Sequence, residues 1–102
     1  MDKGKTRLIS ELREFKNLNK IDQMYLFGSR AYGKPNRWSD VDILLVSRRF
    51  RGKGVLERSP PLRLKLDIPY PVDMLCYTPE EFNKLKRQIT IVREAVREGI
   101  KI

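Results

Sequence analysis

The sequence predicts an α/β fold, or α+β in stricter usage, in which helices flank a small β-sheet. Apolar residues recur at helical spacing near the N-terminus and again after residue 78. Between these two patterns lie three short apolar runs next to glycine, proline or asparagine turns, as is typical of strands. The length of 102 residues is that of one domain, so we expect residues 1–102 to form a single unit.

The composition restricts the chemistry that the chain can perform. It contains no histidine and a single cysteine, Cys76, which lies in an apolar run. These counts exclude a thiolate zinc cluster, a disulfide framework, and Ser-His or Cys-His catalysis. An enzyme of this composition works with carboxylates, hydroxyl groups, cations and a hard metal ion.

The charge balance is strongly basic. With 22 lysines and arginines against 13 acids, the formal net charge is +9 at pH 7. Such a charge favours a polyanionic partner, which is a nucleotide, a nucleic acid or an acidic protein. For most individual charges, solvation of the surface is the better explanation.

The hydropathy pattern predicts no membrane association. No apolar run is long enough to span a bilayer, and the charged N-terminal residues lack the apolar core of a signal peptide. We therefore expect a cytoplasmic location.

The N-terminal residues predict an amphipathic helix over residues 3–18. Leu8, Leu12 and Phe15 recur at helical spacing and form an apolar stripe. We expect this helix to pack on the sheet, and we assign it no chemistry.

A strand, a glycine turn and a helix start follow one another next. Residues 23–27 predict the first strand, which ends at Gly28, where the absence of a side chain lets the backbone approach a ligand closely. Residues 29–32 predict a short helix whose free backbone N–H groups form an anion site, to which Ser29 adds a hydroxyl group and Arg30 a cation. Taken alone, these residues are better explained as a plain turn capped by a serine. The acids downstream reverse that preference.

Two carboxylates open the second predicted strand. After a turn-rich loop over residues 33–38, Ser39 precedes Asp40, and Asp42 follows two positions later. Side chains at i and i+2 of an extended segment point to the same side of a sheet. Two carboxylates held that close repel each other unless a cation lies between them or one takes up a proton. For Ser39, a local hydrogen bond is the simpler role and contact with a phosphate is the functional one.

The rest of this strand has two distinct faces. One face carries Val41, Ile43 and Leu45, whereas the other is acidic at Asp42 and apolar further on. This pattern predicts a buried strand whose beginning opens into a site.

The segment over residues 48–65 is rich in arginine and lysine, with Glu57 as its one acid. A basic cluster next to an acidic site suits a polyanionic substrate, and it equally suits an acidic partner protein. Aromatic residues barely interleave with it, so a groove for single-stranded nucleic acid is less favoured. Pro60 and Pro61 predict that any helix within residues 55–66 is limited to short pieces.

A third acid lies at the start of the third predicted strand, residues 72–77. A Pro-Tyr-Pro turn leads into this strand, and Asp73 is its second residue. A carboxylate at the start of an apolar strand is unexpected unless it has a partner. The plain alternative is a solvated acid at a strand end.

The C-terminal residues predict one helix that ends at Gly99. Thr78 and Glu81 form a capping-box pattern at its start, with Pro79 in the first turn. The apolar stripe then runs on through Phe82, Leu85, Ile89, Val92 and Val96.

The order and spacing of these residues resemble the signature of the DNA polymerase β-like nucleotidyltransferases. In this chain the signature is Gly28-Ser29, ten intervening residues, and then Asp40-Val41-Asp42. Within that superfamily, the chain most resembles the small minimal nucleotidyltransferases, and the resemblance covers most of its length. The resemblance implies a polymerase β-like palm fold, with a small mixed β-sheet flanked by helices.

The resemblance also implies a metal-dependent active site. Asp40, Asp42 and Asp73 would be the catalytic residues and would hold two Mg²⁺ ions, with Asp73 coming from the strand beside the Asp-x-Asp strand. An acceptor hydroxyl would attack the α-phosphorus of a nucleoside triphosphate, which transfers a nucleoside monophosphate and releases pyrophosphate. The residues expected to bind the nucleotide are Gly28, Ser29, Arg30 and Ser39.

The acceptor that the resemblance implies is a protein. Related stand-alone proteins are antitoxins that adenylylate a tyrosine of a HEPN-domain toxin, so the expected reaction transfers AMP from ATP to such a toxin in a type VII-like toxin–antitoxin pair. Many relatives carry a second arginine where this chain has Tyr32, which bears on one phosphate contact. One alternative is a binding module that neutralises a partner protein or binds RNA. The other is a nucleotidyltransferase for a small molecule, whose acceptor pocket a homo-oligomer would build.

Overall fold

The structure is a computed structural model that describes residues 3–36 and 38–102. Its helices are α1 (Lys3–Leu18), α2 (Ser29–Tyr32), α3 (Val55–Lys65), α4 (Pro79–Leu85) and α5 (Ile91–Glu98). Its strands are β1 (Gln23–Phe27), β2 (Val41–Val46), β3 (Val72–Tyr77) and β4 (Ile100–Lys101). Within the described ranges, no helix combines the length and the apolar character needed to cross a membrane.

The four strands form one mixed sheet in the order β3-β2-β1-β4. β1 runs antiparallel to both β2 and β4, whereas β2 and β3 are parallel. The predicted fold class, a small mixed sheet flanked by helices, is therefore confirmed. The C-terminal end of β1 lies beside the N-terminal ends of β2 and β3, so these three strand ends meet at one edge of the sheet.

The core lies on both faces of β2. Val41, Ile43 and Leu45 pack with residues of α1 and α3, and each of the three is fully buried. Leu44 and Val46 point the other way and pack with residues of α4 and α5. This burial confirms the two-faced pattern predicted for the strand. Because both faces of β2 are packed, the position of its acidic N-terminal end is fixed by the core.

The predicted boundaries of α1, β1, α2 and β3 are confirmed, whereas β2 begins at Val41, so Asp40 lies just before the strand and not within it. The predicted loop lies between α2 and β2, although Arg37 within it falls outside the described residues. Asn36 is held there by a hydrogen bond from its backbone N–H to Ser39 Oγ, at 3.1 Å.

The prediction that prolines would limit the helix in residues 55–66 to short pieces is wrong. α3 is one continuous helix that contains both Pro60 and Pro61. A proline cannot donate to the carbonyl group four residues earlier, which here belongs to Leu56 or Glu57. Both residues are exposed, so water can satisfy their carbonyl groups.

The prediction of one C-terminal helix up to Gly99 is also wrong, because the segment divides into α4 and α5. Thr90 causes the break: its Oγ1 accepts from Arg93 N at 3.3 Å and donates to Leu85 O at 2.8 Å. This hydroxyl group caps α5 and satisfies a carbonyl at the end of α4. Ile89, predicted to lie on the apolar stripe, is 94% exposed in the turn between the helices.

Candidate active site at the acidic edge of the sheet

The strand register places the predicted site residues next to one another. Phe27, the last residue of β1, pairs with Asp42 of β2. Asp42 in turn pairs with Asp73 of β3. Gly28 follows Phe27 directly, so the glycine turn and both acids lie side by side at one edge of the sheet.

Gly28 lies against the carboxylate of Asp42. Its backbone has φ +74° and ψ −160°, a conformation that side-chain-bearing residues rarely adopt. A Cβ atom at this position would overlap Asp42 Oδ2. The close backbone approach that the sequence predicts for Gly28 is therefore made to a neighbouring acid.

The three acids share one electrostatic environment. Asp42 is half-buried, whereas Asp40 and Asp73 are exposed. Burial raises the pKa of Asp42 above its ordinary value of 3.8, and the negative charges of Asp73 and then Asp40 raise it further. The repulsion predicted for this acidic pair is thus present, and it extends to the third acid.

The carboxylate oxygens of Asp40, Asp42 and Asp73 suit a hard cation, although the three side chains do not form a close cluster. Among residues 3–36 and 38–102, no group of three or more acids, cysteines or histidines is arranged closely enough to hold a metal ion. Carboxylate oxygens are the ligands that Mg²⁺ prefers, and a cation between Asp42 and its acidic neighbours would relieve their repulsion. The residues present therefore fit such an ion in chemistry and in charge.

The Gly28-Ser29 corner is held in place from two sides. Gly28 O accepts hydrogen bonds from Ala31 N at 3.0 Å and from Tyr32 N at 3.2 Å, which start α2. Lys5 of α1 donates from Nζ to Ala31 O at 2.7 Å. Ser29 remains exposed at the surface. The backbone N–H groups of Ser29 and Arg30 precede the first of these hydrogen bonds, and such N–H groups at a helix start can donate to an anionic ligand.

Arg30 fixes the loop that leads into the acids. Its Nε donates to Ser39 O at 2.9 Å, and its Nη2 donates to Asn36 O at 3.2 Å. The guanidinium group also stacks over the ring of Tyr70, 3.9 Å from its centroid. The structure thus brings Arg30 and Ser39 together and gives Arg30 a positioning role that the sequence did not predict.

Tyr32, the last residue of α2, contacts α5. Its hydroxyl group donates to Glu94 Oε1 at 3.3 Å, and its side chain is half exposed. Partial burial and the charge of Glu94 raise the pKa of Tyr32 above 10.0. The residue is therefore neutral at physiological pH and ties the corner to the opposite face of the sheet.

Several arginines of the basic segment are engaged within the fold. Arg58 is 7% exposed and donates to Glu81 Oε1 at 2.6 Å and to Cys76 O at 3.1 Å. Arg51 pairs with Glu80 at 2.6 Å. Arg58 is thus withdrawn from the surface, and Arg51, although 53% exposed, is paired with an acid of α4. Part of the predicted basic cluster is therefore neutralised within the fold.

A basic concavity lies at the other end of the sheet, away from the acids. It has a volume of about 620 Å³ and lies beside Asp22 and Ser47, which flank the paired strand ends Gln23 and Val46. Its other lining residues are Lys16, Asn17, Lys20, Ile21, Arg48 and Arg49. The candidate active site lies at the opposite end of the sheet, where Asp40 and Asp73 are exposed.

The residues that sequence reasoning missed are supports, not reacting groups. Lys5 and Tyr70 hold the corner and its loop across the fold, and no local spacing marks them. Arg58 is the buried cation of the basic segment, residues 48–65. Nothing in the sequence distinguishes it from the other arginines and lysines of that segment. These contacts depend on tertiary packing.

Comparison with known proteins agrees with this geometry. A family model described as nucleotidyltransferase domain matches residues 8–98. The chain is 30% identical over 71 residues to "Probable protein adenylyltransferase MntA" of Haemophilus influenzae, and the match covers 68% of this chain. It spans 62% of that relative's length. The crystal structure of a "putative nucleotidyltransferase" from Sulfolobus solfataricus superposes with a TM-score of 0.62 at 20% identity, covering 95% of this chain and 80% of the other.

Proposed function

Because this chain belongs to the nucleotidyltransferase domain family, we propose that it transfers a nucleoside monophosphate, AMP from ATP, to a hydroxyl group on a protein. The observation that carries the proposal is the register of the sheet, which sets Asp42 beside Asp73 and beside the Gly28 corner. The fold of a small mixed sheet flanked by helices supports it too, since the Sulfolobus solfataricus structure shares that fold.

The glycine-serine corner and the acids bind different parts of the nucleoside triphosphate. The backbone N–H groups that follow Gly28 and the hydroxyl group of Ser29 bind the outgoing phosphates of the triphosphate. Asp40, Asp42 and Asp73 would hold Mg²⁺, which when bound neutralises the phosphate charge and orients the reacting oxygens. Arg30 and Ser39 keep the loop before Asp40 in place, so that the acids stay aligned with the corner.

Asp73 is exposed at the edge of the sheet, where an incoming acceptor can reach it. Its carboxylate takes the proton from the acceptor hydroxyl as that oxygen attacks the α-phosphorus. A new bond forms between the acceptor oxygen and the α-phosphorus, the bond from that phosphorus to the pyrophosphate oxygen breaks, and pyrophosphate leaves. Positioning and charge neutralisation carry such a reaction, and histidine is not needed.

The acceptor we propose is a tyrosine of a HEPN-domain toxin, with this chain as the cytoplasmic antitoxin. Two observations support a protein acceptor. Asp40 and Asp73 are exposed, so a large acceptor can reach them, and the Haemophilus influenzae relative is described as a protein adenylyltransferase.

The experiment is label transfer from α-phosphate-labelled ATP, in Mg²⁺, to a purified HEPN-domain protein. We expect labelled acceptor with the wild type and none with Asp42→Asn, which keeps the shape of the side chain but removes its charge. Glu14→Gln, a charge-matched change on the exposed side of α1, serves as the control. Unlabelled GTP, CTP and UTP as competitors report the base preference.

A second candidate is a binding module that engages a polyanion without catalysis. The basic concavity lined by Lys16, Lys20, Arg48 and Arg49 favours it. Tight binding of RNA or of an acidic partner, without label transfer to a protein or to a small-molecule acceptor, would select this candidate. Loss of that binding in Lys16→Gln/Lys20→Gln would locate it in the concavity.

A further inference from the structure

A cleft between α4 and α5 is lined almost entirely by positively charged side chains. It has a volume of about 450 Å³ and lies where the residues that follow α4 face one flank of α5. The residues that line this α4–α5 cleft are Lys86, Arg87, Arg93, Val96 and Arg97. Lys86 and Arg93 are half-buried, whereas Arg87 and Arg97 are exposed. Four cations from two parts of the chain therefore converge on one concavity whose lining includes no acid.

The cations of the α4–α5 cleft lack a counter-charge. Within residues 3–36 and 38–102, the cations that form ion pairs are instead Arg7, Arg48, Arg51 and Arg58. Arg93 and Arg97 also border a neighbouring concavity with Glu94 and Glu98, but Glu94 accepts a hydrogen bond from the Tyr32 hydroxyl group. Like charges four residues apart on a helix repel each other, as Arg93 and Arg97 do. An anion bound in the cleft would relieve this repulsion.

The basic concavity at the far end of the sheet differs from the α4–α5 cleft. It includes Asp22, which pairs with Arg48 at 3.4 Å, and its Arg49 donates to a backbone carbonyl group at 2.9 Å. Two of its four cations are thus engaged within the fold. In the cleft, Lys86 Nζ lies 5.3 Å from the centroid of the Phe82 ring, a contact that positions the ammonium group and leaves its charge uncompensated. The cleft is therefore the better site for a multiply charged anion.

From this arrangement we infer that the α4–α5 cleft binds the phosphodiester backbone of a nucleic acid. The core of a protein–protein interface is apolar and depleted of charged residues, whereas interfaces with nucleic acid are polar and strongly positive. The cleft has four cations and one apolar residue, Val96, so it matches the second kind. Its three guanidinium groups can each donate two parallel hydrogen bonds to phosphate oxygens. The net charge of +9 adds long-range attraction.

The lining of the cleft predicts binding with little sequence preference. Val96 is its one uncharged residue, so the lining offers no aromatic ring on which a base could stack. Contacts to phosphates fix the position of a nucleic acid but carry no sequence information. The inference does not rest on the proposed function, because none of the cleft residues belongs to the acidic edge.

Fluorescence anisotropy of labelled nucleic acid with the full chain tests the inference. Duplex DNA, duplex RNA and single-stranded RNA of equal length distinguish the sources of the backbone. We expect binding whose affinity falls as salt rises from about 50 to 200 mM. Arg93→Gln/Arg97→Gln should lower the affinity at least about tenfold at the lower salt concentration, and the slope of log affinity against log salt should become shallower by about 2.

Two double variants with the same loss of charge are the controls. Arg7→Gln/Arg13→Gln changes two exposed arginines of α1, and Lys16→Gln/Lys20→Gln changes the basic concavity. Both should keep most of the affinity and of the salt slope, and circular dichroism verifies that every variant is folded. The inference is overturned if the wild type does not bind at about 50 mM salt, or if either control loses as much affinity as the cleft variant. Stronger binding to poly-glutamate of equal charge than to every nucleic acid overturns it as well.

Discussion

Gly28 lies directly against the carboxylate of Asp42, which belongs to the neighbouring strand. The pairing of Phe27 with Asp42 brings the turn beside the acid, and the positive φ at Gly28 turns its backbone toward Oδ2. Glycine and acid therefore form one structural unit, because a side chain at residue 28 and the carboxylate at residue 42 would occupy the same space.

Gly28→Ala is expected to damage both the fold and the site. The added methyl group meets a conformation that L-residues rarely adopt and a carboxylate that cannot retreat into the packed sheet. We expect the free energy of unfolding to fall by roughly 3 kcal/mol, from backbone strain together with steric overlap. Displacement of Asp42 should lower label transfer by about 100-fold. Urea unfolding and the transfer assay measure the two effects.

Gly52→Ala is the matched control for this prediction. Gly52 also has a positive φ, +80°, but nothing lies within 4 Å of the added methyl group. We expect only the backbone strain, about 1–2 kcal/mol, and unchanged label transfer per folded molecule. Equal losses of transfer in the two variants would show that contact with Asp42 does not matter.

Asp42 should make the stability of the protein depend on pH in an unusual direction. Its folded pKa is raised above the ordinary 3.8, first by burial and then by Asp73 and Asp40. Between 3.8 and the raised value, the folded protein binds more protons than the unfolded chain, so stability falls as pH rises through this window. Asp42→Asn lacks this titration.

We therefore expect wild type to lose stability relative to Asp42→Asn as pH rises from 3.8 toward neutrality. Urea unfolding of both proteins over a pH series measures this difference. Arg48 lowers the pKa of Asp22, and Arg58 lowers the pKa of Glu81. The stability that these two acids contribute is lost on acidification equally in both proteins, so it cancels when their free energies of unfolding are compared. The raised pKa is contradicted if the free energy of unfolding of wild type relative to Asp42→Asn does not change with pH, or if it rises as pH rises.

Local pattern was sufficient where it coincided with burial. The alternation in β2 predicted both of its faces, because each side chain there packs on a different set of helices. The same reasoning was wrong for α3, where exposed carbonyl groups let two prolines remain inside a helix. It was wrong again at Thr90, whose hydroxyl group ends α4 and starts α5. β4, only two residues long, has no pattern of its own and forms by pairing with β1.

The candidate site divides along the same line. The spacing of Gly28, Asp40 and Asp42 is local, and the shared edge with Asp73 follows from a sheet in which β2 and β3 are parallel. The contacts of Arg30 with Ser39 and with the Tyr70 ring depend on the tertiary arrangement of a loop and a turn. Sequence spacing therefore predicted that Asp42 and Asp73 lie at the same end of the sheet, whereas the contacts that support the loop required the structure.

Arg58→Ala should be among the most destabilising single changes in the chain. The Arg58 side chain is 6% exposed and forms an ion pair with Glu81 at 2.6 Å. Its loss removes the Arg58 donor from the carbonyl group of Cys76 and leaves Glu81 with only the hydrogen bond from Thr78 N. Removal of one partner of a fully buried pair typically costs about 3–5 kcal/mol, and because the Glu81 side chain is 39% exposed we expect a loss at the lower end, about 3 kcal/mol, which urea unfolding can measure.

Arg51→Ala provides the comparison. The Arg51–Glu80 pair has the same 2.6 Å separation, but its side chains are 53% and 62% exposed. An exposed pair contributes roughly 0–1 kcal/mol, so we expect a small change. If the two alanine variants unfold at the same urea concentration, burial of Arg58 does not determine the strength of its pair.

Arg30→Lys should loosen the loop that precedes Asp40 without unfolding the protein. Lysine cannot donate to Ser39 O and Asn36 O in the geometry of a planar guanidinium group, and it stacks less well on Tyr70.

Trp38, the one tryptophan of the chain, reports on this loop, because its backbone N–H donates to Asn36 Oδ1 at 2.8 Å. We expect the fluorescence anisotropy of Trp38 to decay faster and the KM for ATP to rise. Arg7→Lys, in an exposed pair with Glu11 on α1, should change neither value. Unchanged anisotropy in Arg30→Lys would mean that other contacts hold the loop.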